Sequence, residues 1–359
     1  MPELFSDRSK CFGCEACSAC CPSGAIKMVA DAEGFAYPVI DAALCTECGS
    51  CVDVCPARKS VSPCEQHFFA VRTLSEDVLY KSTSGGAFSL IADAILKIGG
   101  VVCGAVYDED FNVVHIVSED IAPMRKPKYV QSSLGGCYDQ ISTAVKDGHP
   151  VLFTGTPCQC DAVRSYFGDD SSIYYAALVC RGVGSPALWK DYVKFLEKNG
   201  PLTSYCSRDK RRADDAHTVA YTVGGSETAV QYLSDPFSRI YAKELSLRPS
   251  CYQCPYATID KTFDFVIGDF WGVEKAFPEL ADGRGTSLVI TGSARSYQMI
   301  LSMKESAVIL ETDREHVKQP ALETPAKAGM LRRFLMKDIA AKGPDGICDI
   351  AAILKKYGS

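Results

Sequence analysis

The sequence predicts a mixed α+β / α/β protein in three parts: a small cysteine-rich module, a larger mixed α/β domain and a helical tail. Three observations carry that expectation. One cysteine pattern occurs twice within the first 56 residues. A polar, proline-containing stretch, PARKSVSPCEQ, follows it at 56–66. Beyond that stretch, strand-like and helix-like segments alternate. The parts are placed at residues 1–62, 63–325 and 326–359.

The module is the most specific part. CFGCEACSACCP is Cys11-x2-Cys14-x2-Cys17-x3-Cys21-Pro22, and CTECGSCVDVCP is Cys45-x2-Cys48-x2-Cys51-x3-Cys55-Pro56. Two-residue gaps let a tight loop wrap three thiolates around one 4Fe–4S cube. The fourth cysteine of each copy points to the other cube. On that logic Cys11, Cys14, Cys17 and Cys55 hold one cluster, and Cys45, Cys48, Cys51 and Cys21 the other. Zinc also takes four thiolates, but two complete copies of this spacing are a poor zinc pattern. Cys20 fits neither set and is expected to be a bystander. Residues 8–60 resemble bacterial-type two-cluster ferredoxins. AIKMVADAEGFAYPVID supplies the hairpin between the copies, two apolar runs around an acidic turn with glycine.

Composition narrows the setting. The chain has 47% hydrophobic and 23% charged residues, as soluble globular proteins do, and no run nears the length of a membrane span. MPELFSDRSK has no apolar core of a signal peptide, so a cytoplasmic, reducing compartment is expected. There the 19 cysteines, an odd count, point to metal or redox chemistry rather than a disulfide framework. A net charge of −6 argues against a nucleic-acid partner.

After the linker, HFFAVRT reads as a strand. A Ser/Thr/Gly turn, KSTSGG, precedes an amphipathic helix from Ala87 that stops at Gly99-Gly100. Backbone N–H groups of Ser82–Gly86 at that helix start suit an anion, or simply cap the helix. VVCGAVYDEDFNVVHIVSED reads as a hairpin and GGCYDQISTAVKDG as a helix. PVLFTG and IYYAALVC are strands, each followed by a helix. Residues 202–233 read as short antiparallel strands split by RDKRR (Arg208 to Arg212), for which a solvated loop is expected. FDFVIGDFWG, TSLVITG and AVILETD are further strands. No Walker A motif, GxGxxG fingerprint, HExxH or GxSxG occurs.

Ten cysteines lie outside the repeat. Cys158 and Cys180 fall just past the C-terminal ends of expected strands, where open α/β sheets place ligands. Together with Cys251 and Cys254 of LRPSCYQCPYA they suit a third four-thiolate site, with Cys160 as a competing ligand. Buried free cysteines fit the spacing equally well. Cys64, Cys103, Cys137, Cys206 and Cys348 are expected to be small buried hydrophobes.

KSTSGGAFS, KYVQS, GTPCQ, CRGVGSP, LRPSCYQCPYA and IGDFWG occur in the order of the coenzyme F420 hydrogenase/dehydrogenase beta-subunit family, which residues 64–275 resemble. The resemblance implies FAD and one 4Fe–4S cluster in the second domain, the latter on Cys158, Cys180, Cys251 and Cys254. It implies flavin phosphate or ribityl contacts for Ser84, Gly85 and Gly86. Lys128, Tyr129 and Ser132 would line the flavin, with Lys128 stabilising negative charge on it. Asp269 and Trp271 either approach the cofactor or pack the strand end. Arg181 stands where the family usually has His, and Gly184 where it often has Pro. The implied activity is an iron–sulfur, flavin-dependent oxidoreductase serving a hydride-carrying small molecule, either a deazaflavin or another organic compound. Its implied partner is a redox protein or a subunit of a larger complex.

Overall fold

The computed structural model describes residues 4–5, 7–58, 64–210, 218–329, 331–343 and 346. The expected boundary near residue 62, Arg211, Arg212, Cys348 and most of the tail's end lie outside them. In the first module each cysteine motif runs into a single helical turn, α1 (Ala16–Ala19) and α2 (Ser50–Asp53). Between them lies the expected hairpin, β1 (Ile26–Ala30) paired antiparallel with β2 (Ala36–Ile40).

The second domain follows the alternation expected of it. β3 (His67–Thr73) leads through α3 (Glu76–Lys81) to α4 (Ala87–Lys97). The hairpin is β4 (Val101–Tyr107) and β5 (Val113–Ser118), followed by α5 (Cys137–Lys146). β6 (Val151–Gly155), α6 (Pro157–Phe167) and β7 (Ile173–Leu178) form a parallel strand–helix–strand unit, and α7 (Pro186–Leu196) comes next. β8 (Leu202–Asp209), β9 (Thr218–Val223) and β10 (Ser226–Gln231) make a separate antiparallel sheet before α8 (Pro236–Ala242). The chain then runs through β11 (Phe265–Asp269), α9 (Val273–Ala276), β12 (Ser287–Thr291), α10 (Ala294–Ser302), β13 (Ala307–Thr312) and α11 (Leu331–Lys342). Residues 326–329 are not helical, so the helical tail starts later than expected.

The main sheet has eight strands in the order β13-β3-β12-β11-β7-β6-β4-β5. Its centre, β4, β6, β7 and β11, is parallel, and the remaining pairings are antiparallel. Side chains alternate faces along each strand. Thus Val151 and Phe153 join the core under α5 and α6, while Leu152 meets α4 and α10 on the other face. Leu90, Ile91 and Ile95 of α4 are buried there, each stabilising by about 1.5–3 kcal/mol. Ala16 and Val54 of the first module belong to the α5/α6 core, so the module is packed onto that face. A third core around Trp189, Tyr192 and Phe237 joins α7, α8 and the small sheet to Leu335 and Ile339 of α11. The C-terminal ends of β6, β7 and β11 open on one edge, the usual ligand edge of an α/β sheet. Among the described residues, no helix is long and apolar enough to cross a membrane.

Candidate functional site

Both cysteine loops reverse direction through left-handed residues flanking their second cysteine: Gly13 and Glu15 in one, Glu47 and Gly49 in the other. The reversal turns the thiols inward around two hollows. One, of about 850 Å³ including its mouth, is lined by Cys11, Cys14, Cys17 and Cys55. The other, of about 310 Å³, is lined by Cys21, Cys45, Cys48 and Cys51. Each hollow therefore gathers three cysteines of one copy and the last cysteine of the other. Among the described residues no three Cys, His, Asp or Glu side chains converge as a single-ion site; these thiols surround space. Burial first, then the neighbouring thiols, raises Cys14 well above the ordinary thiol range and Cys17 to about 12. An iron–sulfur core supplies the concentrated positive charge that holds such buried thiols as thiolates. Cys20 lines neither hollow, and its thiol donates to the Cys17 carbonyl at 3.5 Å.

The scattered cysteines also sort themselves. Cys158 stands in the first turn of α6, which Thr156 and Gln159 close with a capping box. Cys180 lies just past β7. Cys251 and Cys254 flank the end of a short 3-10 turn, Pro249–Gln253. Burial first, then Cys254 and Cys251, raises Cys158 to about 12, and burial first, then Cys251, Cys158 and Cys254, raises Cys180 well above the ordinary thiol range. Cys160 is two residues from Cys158, hence on the opposite side of α6. Its thiol is fully buried in the sheet core against the Gly155 carbonyl. Cys103 and Cys137 are buried as expected, whereas Cys64 and Cys206 are only half-buried.

A cleft of about 1380 Å³, open to solvent, lies at the C-terminal strand edge. Its lining includes Ser84, Gly86, Lys128, Tyr129, Ser132, Cys180 and Asp269. Gly85 does not line the cleft; it packs so tightly on Val71 and Ser287 that a side chain has no room, and its N–H donates to Ser287 Oγ at 2.9 Å. Gly86, left-handed at φ +90°, starts α4. Ser84 Oγ donates to the Thr286 carbonyl, whereas the buried Thr83 Oγ1 has no protein partner. Lys128 directs its ammonium to the carbonyls of Pro123, Arg125 and Lys126, and so braces the cleft wall. Burial lowers its pKa to about 7. Tyr129 stacks on Tyr241 at 4.4 Å, and Ser132 Oγ accepts from Gln159 Nε2 at 2.8 Å. Trp271 is 58% exposed and absent from the lining.

The RDKRR run departs from the expected solvated loop. Asp209, fully buried, pairs with Lys126, and Arg208 faces Asp269 at 3.7 Å. Lys210 donates to the carbonyls of Ser84 and Arg284. The first half of the run thus stitches β8 to the cleft rim and makes that rim basic. Arg181 pairs with Glu244 and donates to the carbonyls of Pro320 and Thr324, clamping the segment before α11.

His115 was not singled out by its sequence context, a strand position between apolar neighbours. Its ring stacks on Phe153, Nε2 meets the Thr154 carbonyl at 3.0 Å, the buried Nδ1 has no protein partner, and the residue is one of those lining the cleft. Burial is the main cause that lowers its pKa to about 4. The imidazole is therefore neutral, and with Nε2 as donor, Nδ1 is a free acceptor.

Known families match both the cysteine-rich module and the larger α/β part. The family described as the C terminus of the coenzyme F420 hydrogenase/dehydrogenase beta subunit matches residues 148–316. Two families described as 4Fe–4S dicluster domains match residues 10–59 and 37–93, which makes this an iron–sulfur protein. The chain is 42% identical over 59 residues to "Ferredoxin-like protein in nif region" of Trichormus variabilis and of Trichormus azollae, covering 16% of this chain and 47% of each relative. It thus spans about half the length of these curated relatives. A chain of the F420-reducing NiFe hydrogenase complex from Methanosarcina barkeri superposes with a TM-score of 0.46 at 16% identity, covering 83% of this chain and 94% of that one.

Proposed function

We propose, from the match of residues 148–316 to the C-terminal regions of coenzyme F420 hydrogenase/dehydrogenase beta subunits and of residues 10–59 to the 4Fe–4S dicluster family, that the chain is an iron–sulfur flavoprotein oxidoreductase. It exchanges electrons between a hydride-carrying small molecule at the cleft and a redox partner at the second cysteine motif. One observation carries the reading: Cys180 lines the cleft and lies near enough to Cys158, Cys251 and Cys254 for their charges to raise its pKa. A ligand in the cleft therefore abuts a candidate third cluster.

FAD is the proposed occupant of the cleft. Support comes from the size of the space, the free acceptor on His115, the free hydroxyl of Thr83 and the basic rim of Lys126, Arg208 and Lys210. When bound, a flavin takes electrons in pairs and releases them singly, as one-electron clusters require. The protein's own part is to orient and to exclude water. Tyr129 on Tyr241 forms an aromatic wall, Gln159 fixes the Ser132 hydroxyl, and Gly86 starts α4 against the lining. Arg181, committed to Glu244, does not handle protons there. The hydride carrier is a coenzyme F420-like deazaflavin or another organic substrate. The exposure of Cys48 at the outer set favours a docking protein, free or part of a larger complex, as the other partner.

Anaerobic purification with iron, sulfide and flavin analysis, then mixing with each candidate donor while following flavin absorbance, tests this. About twelve irons per chain, for three cubes, and flavin bleaching by one donor or by reduced ferredoxin are expected. Zinc with little acid-labile sulfide, or failure to retain flavin, overturns it.

A further inference from the structure

Arg248 is among the largest fully buried side chains of the protein, 1% exposed. Nε donates to the Cys11 carbonyl at 2.8 Å, one terminal nitrogen to Gln131 Oε1 at 2.7 Å, and the other to the Ala36 carbonyl at 3.0 Å. Its guanidinium also lies over the Tyr37 ring at 4.4 Å and near Phe35 at 5.4 Å. Every one of these partners is neutral. Among the described residues no carboxylate pairs with it, although burying a guanidinium without an anion is strongly unfavourable.

The backbone of Arg248 shows where the missing anions belong. Its N–H donates to the Val183 carbonyl, three residues beyond Cys180, and its carbonyl accepts from the Cys251 N–H, both at 2.9 Å. The side chain thus reaches the Cys11 loop, while the main chain holds the two loops that carry Cys180 and Cys251. Gly13 is left-handed, and a side chain there would collide with the guanidinium, so the first loop is shaped around this cation.

Four thiolates outweigh the charge of a 4Fe–4S core, leaving each cluster anionic and more so after it accepts an electron. A cation enclosed beside two such clusters in a medium of low dielectric favours their reduced forms. We propose that Arg248 is a positioning residue for electron transfer. Its charge is shared by the cluster on Cys11, Cys14, Cys17 and Cys55 and by the one on Cys158, Cys180, Cys251 and Cys254, and raises both reduction potentials together. The second half of this statement rests on the proposed third cluster; the first half does not.

The test is an EPR-monitored redox titration of the whole chain, purified anaerobically, as wild type, Arg248→Met and Arg248→Lys, with iron and sulfide counted in each. In the iron-replete Met variant the reduced-to-oxidised ratio of both clusters, at a fixed poise, falls at least tenfold, about 59 mV for a one-electron couple. The more exposed cluster on Cys21, Cys45, Cys48 and Cys51 moves by less than threefold, because solvent and salt screen it. The Lys variant keeps the charge, gives up the forked hydrogen bonds, and stays within threefold of wild type. Unchanged potentials in an iron-replete Met variant overturn the proposal. Should the Met variant lose iron, the Lys variant decides: wild-type potentials uphold the role of charge, and a tenfold fall despite the charge overturns it. About eight irons in the wild type would end the third-cluster reading, and the inner cluster's shift alone would then settle the role of Arg248.

Discussion

The two cysteine motifs are near copies in spacing and near opposites in surroundings. The first is wrapped by the second domain. Its loop receives five hydrogen bonds from there: Gln131 to the carbonyls of Phe12 and Gly13, Tyr138 to that of Cys14, Arg248 to that of Cys11, and the Leu134 N–H to Glu15. The second motif exposes Thr46, Glu47 and Cys48, and its Cys48 thiol has Ser50 as hydrogen-bond neighbour at 3.4 Å. Both loops need two left-handed residues, yet they assign them differently. Gly13 and Glu15 stand where the other copy has Glu47 and Gly49. In the wrapped copy glycine goes where Arg248 leaves no room, and the strained glutamate is held by an interdomain bond. In the exposed copy the glutamate is solvent-exposed and the glycine has nothing within 4 Å of a would-be side chain. The motif shapes the loop; its surroundings make one copy enclosed and the other exposed.

Breaking one thiol in each copy gives the largest expected contrast. Cys14→Ala and Cys48→Ala each lose about four irons. Only the first releases the wrapped loop, lowering stability by about 3–5 kcal/mol, at roughly 1 kcal/mol for each of the five hydrogen bonds. Thermal or urea unfolding followed by far-UV dichroism distinguishes them, and equal destabilisation would erase the distinction between inner and outer. Gly13→Ala sharpens it without touching a ligand. It combines left-handed strain with overpacking against Arg248, about 3 kcal/mol in all. The matching exposed change, Glu47→Ala, keeps the strain and stays within about 0.5 kcal/mol of wild type. Oxidant with chelator removes the outer cluster first. If local opening of the two loops differs by about 1.4 kcal/mol, the two EPR signals decay about tenfold apart in rate. The smallest effect is expected at Cys20: Cys20→Ala keeps full iron, whereas Cys21→Ala loses about one cube's worth, as iron analysis would show.

The order of strands and helices was largely legible in the sequence, because periodicity and turn residues are local signals. The hairpin between the motifs, β3, the start of α4 at Ala87 and the strands ending near Cys158 and Cys180 all stand where the pattern puts them. Other assignments depended on contacts that no local pattern carries. Gly85 has the same neighbours in sequence whether it lines a cleft or packs on β3 and β12. Arg208, Asp209 and Lys210 look like a solvated charge run until β8 brings them to the cleft rim. His115 sits in an apolar strand like any core residue, and its free Nδ1 is defined only by what surrounds it.

The sequence by itself determined the cluster-binding module, since ligand spacing along a short loop is set by covalent geometry. It also determined the α/β succession, through alternation and helix periodicity. Only the tertiary structure decided which motif is enclosed, that Cys160 turns into the sheet core, and that a buried Arg248 has no carboxylate partner among the described residues. Those properties depend on residues more than a hundred positions apart brought within 3 Å, and on a dielectric environment that exists only once the core has closed.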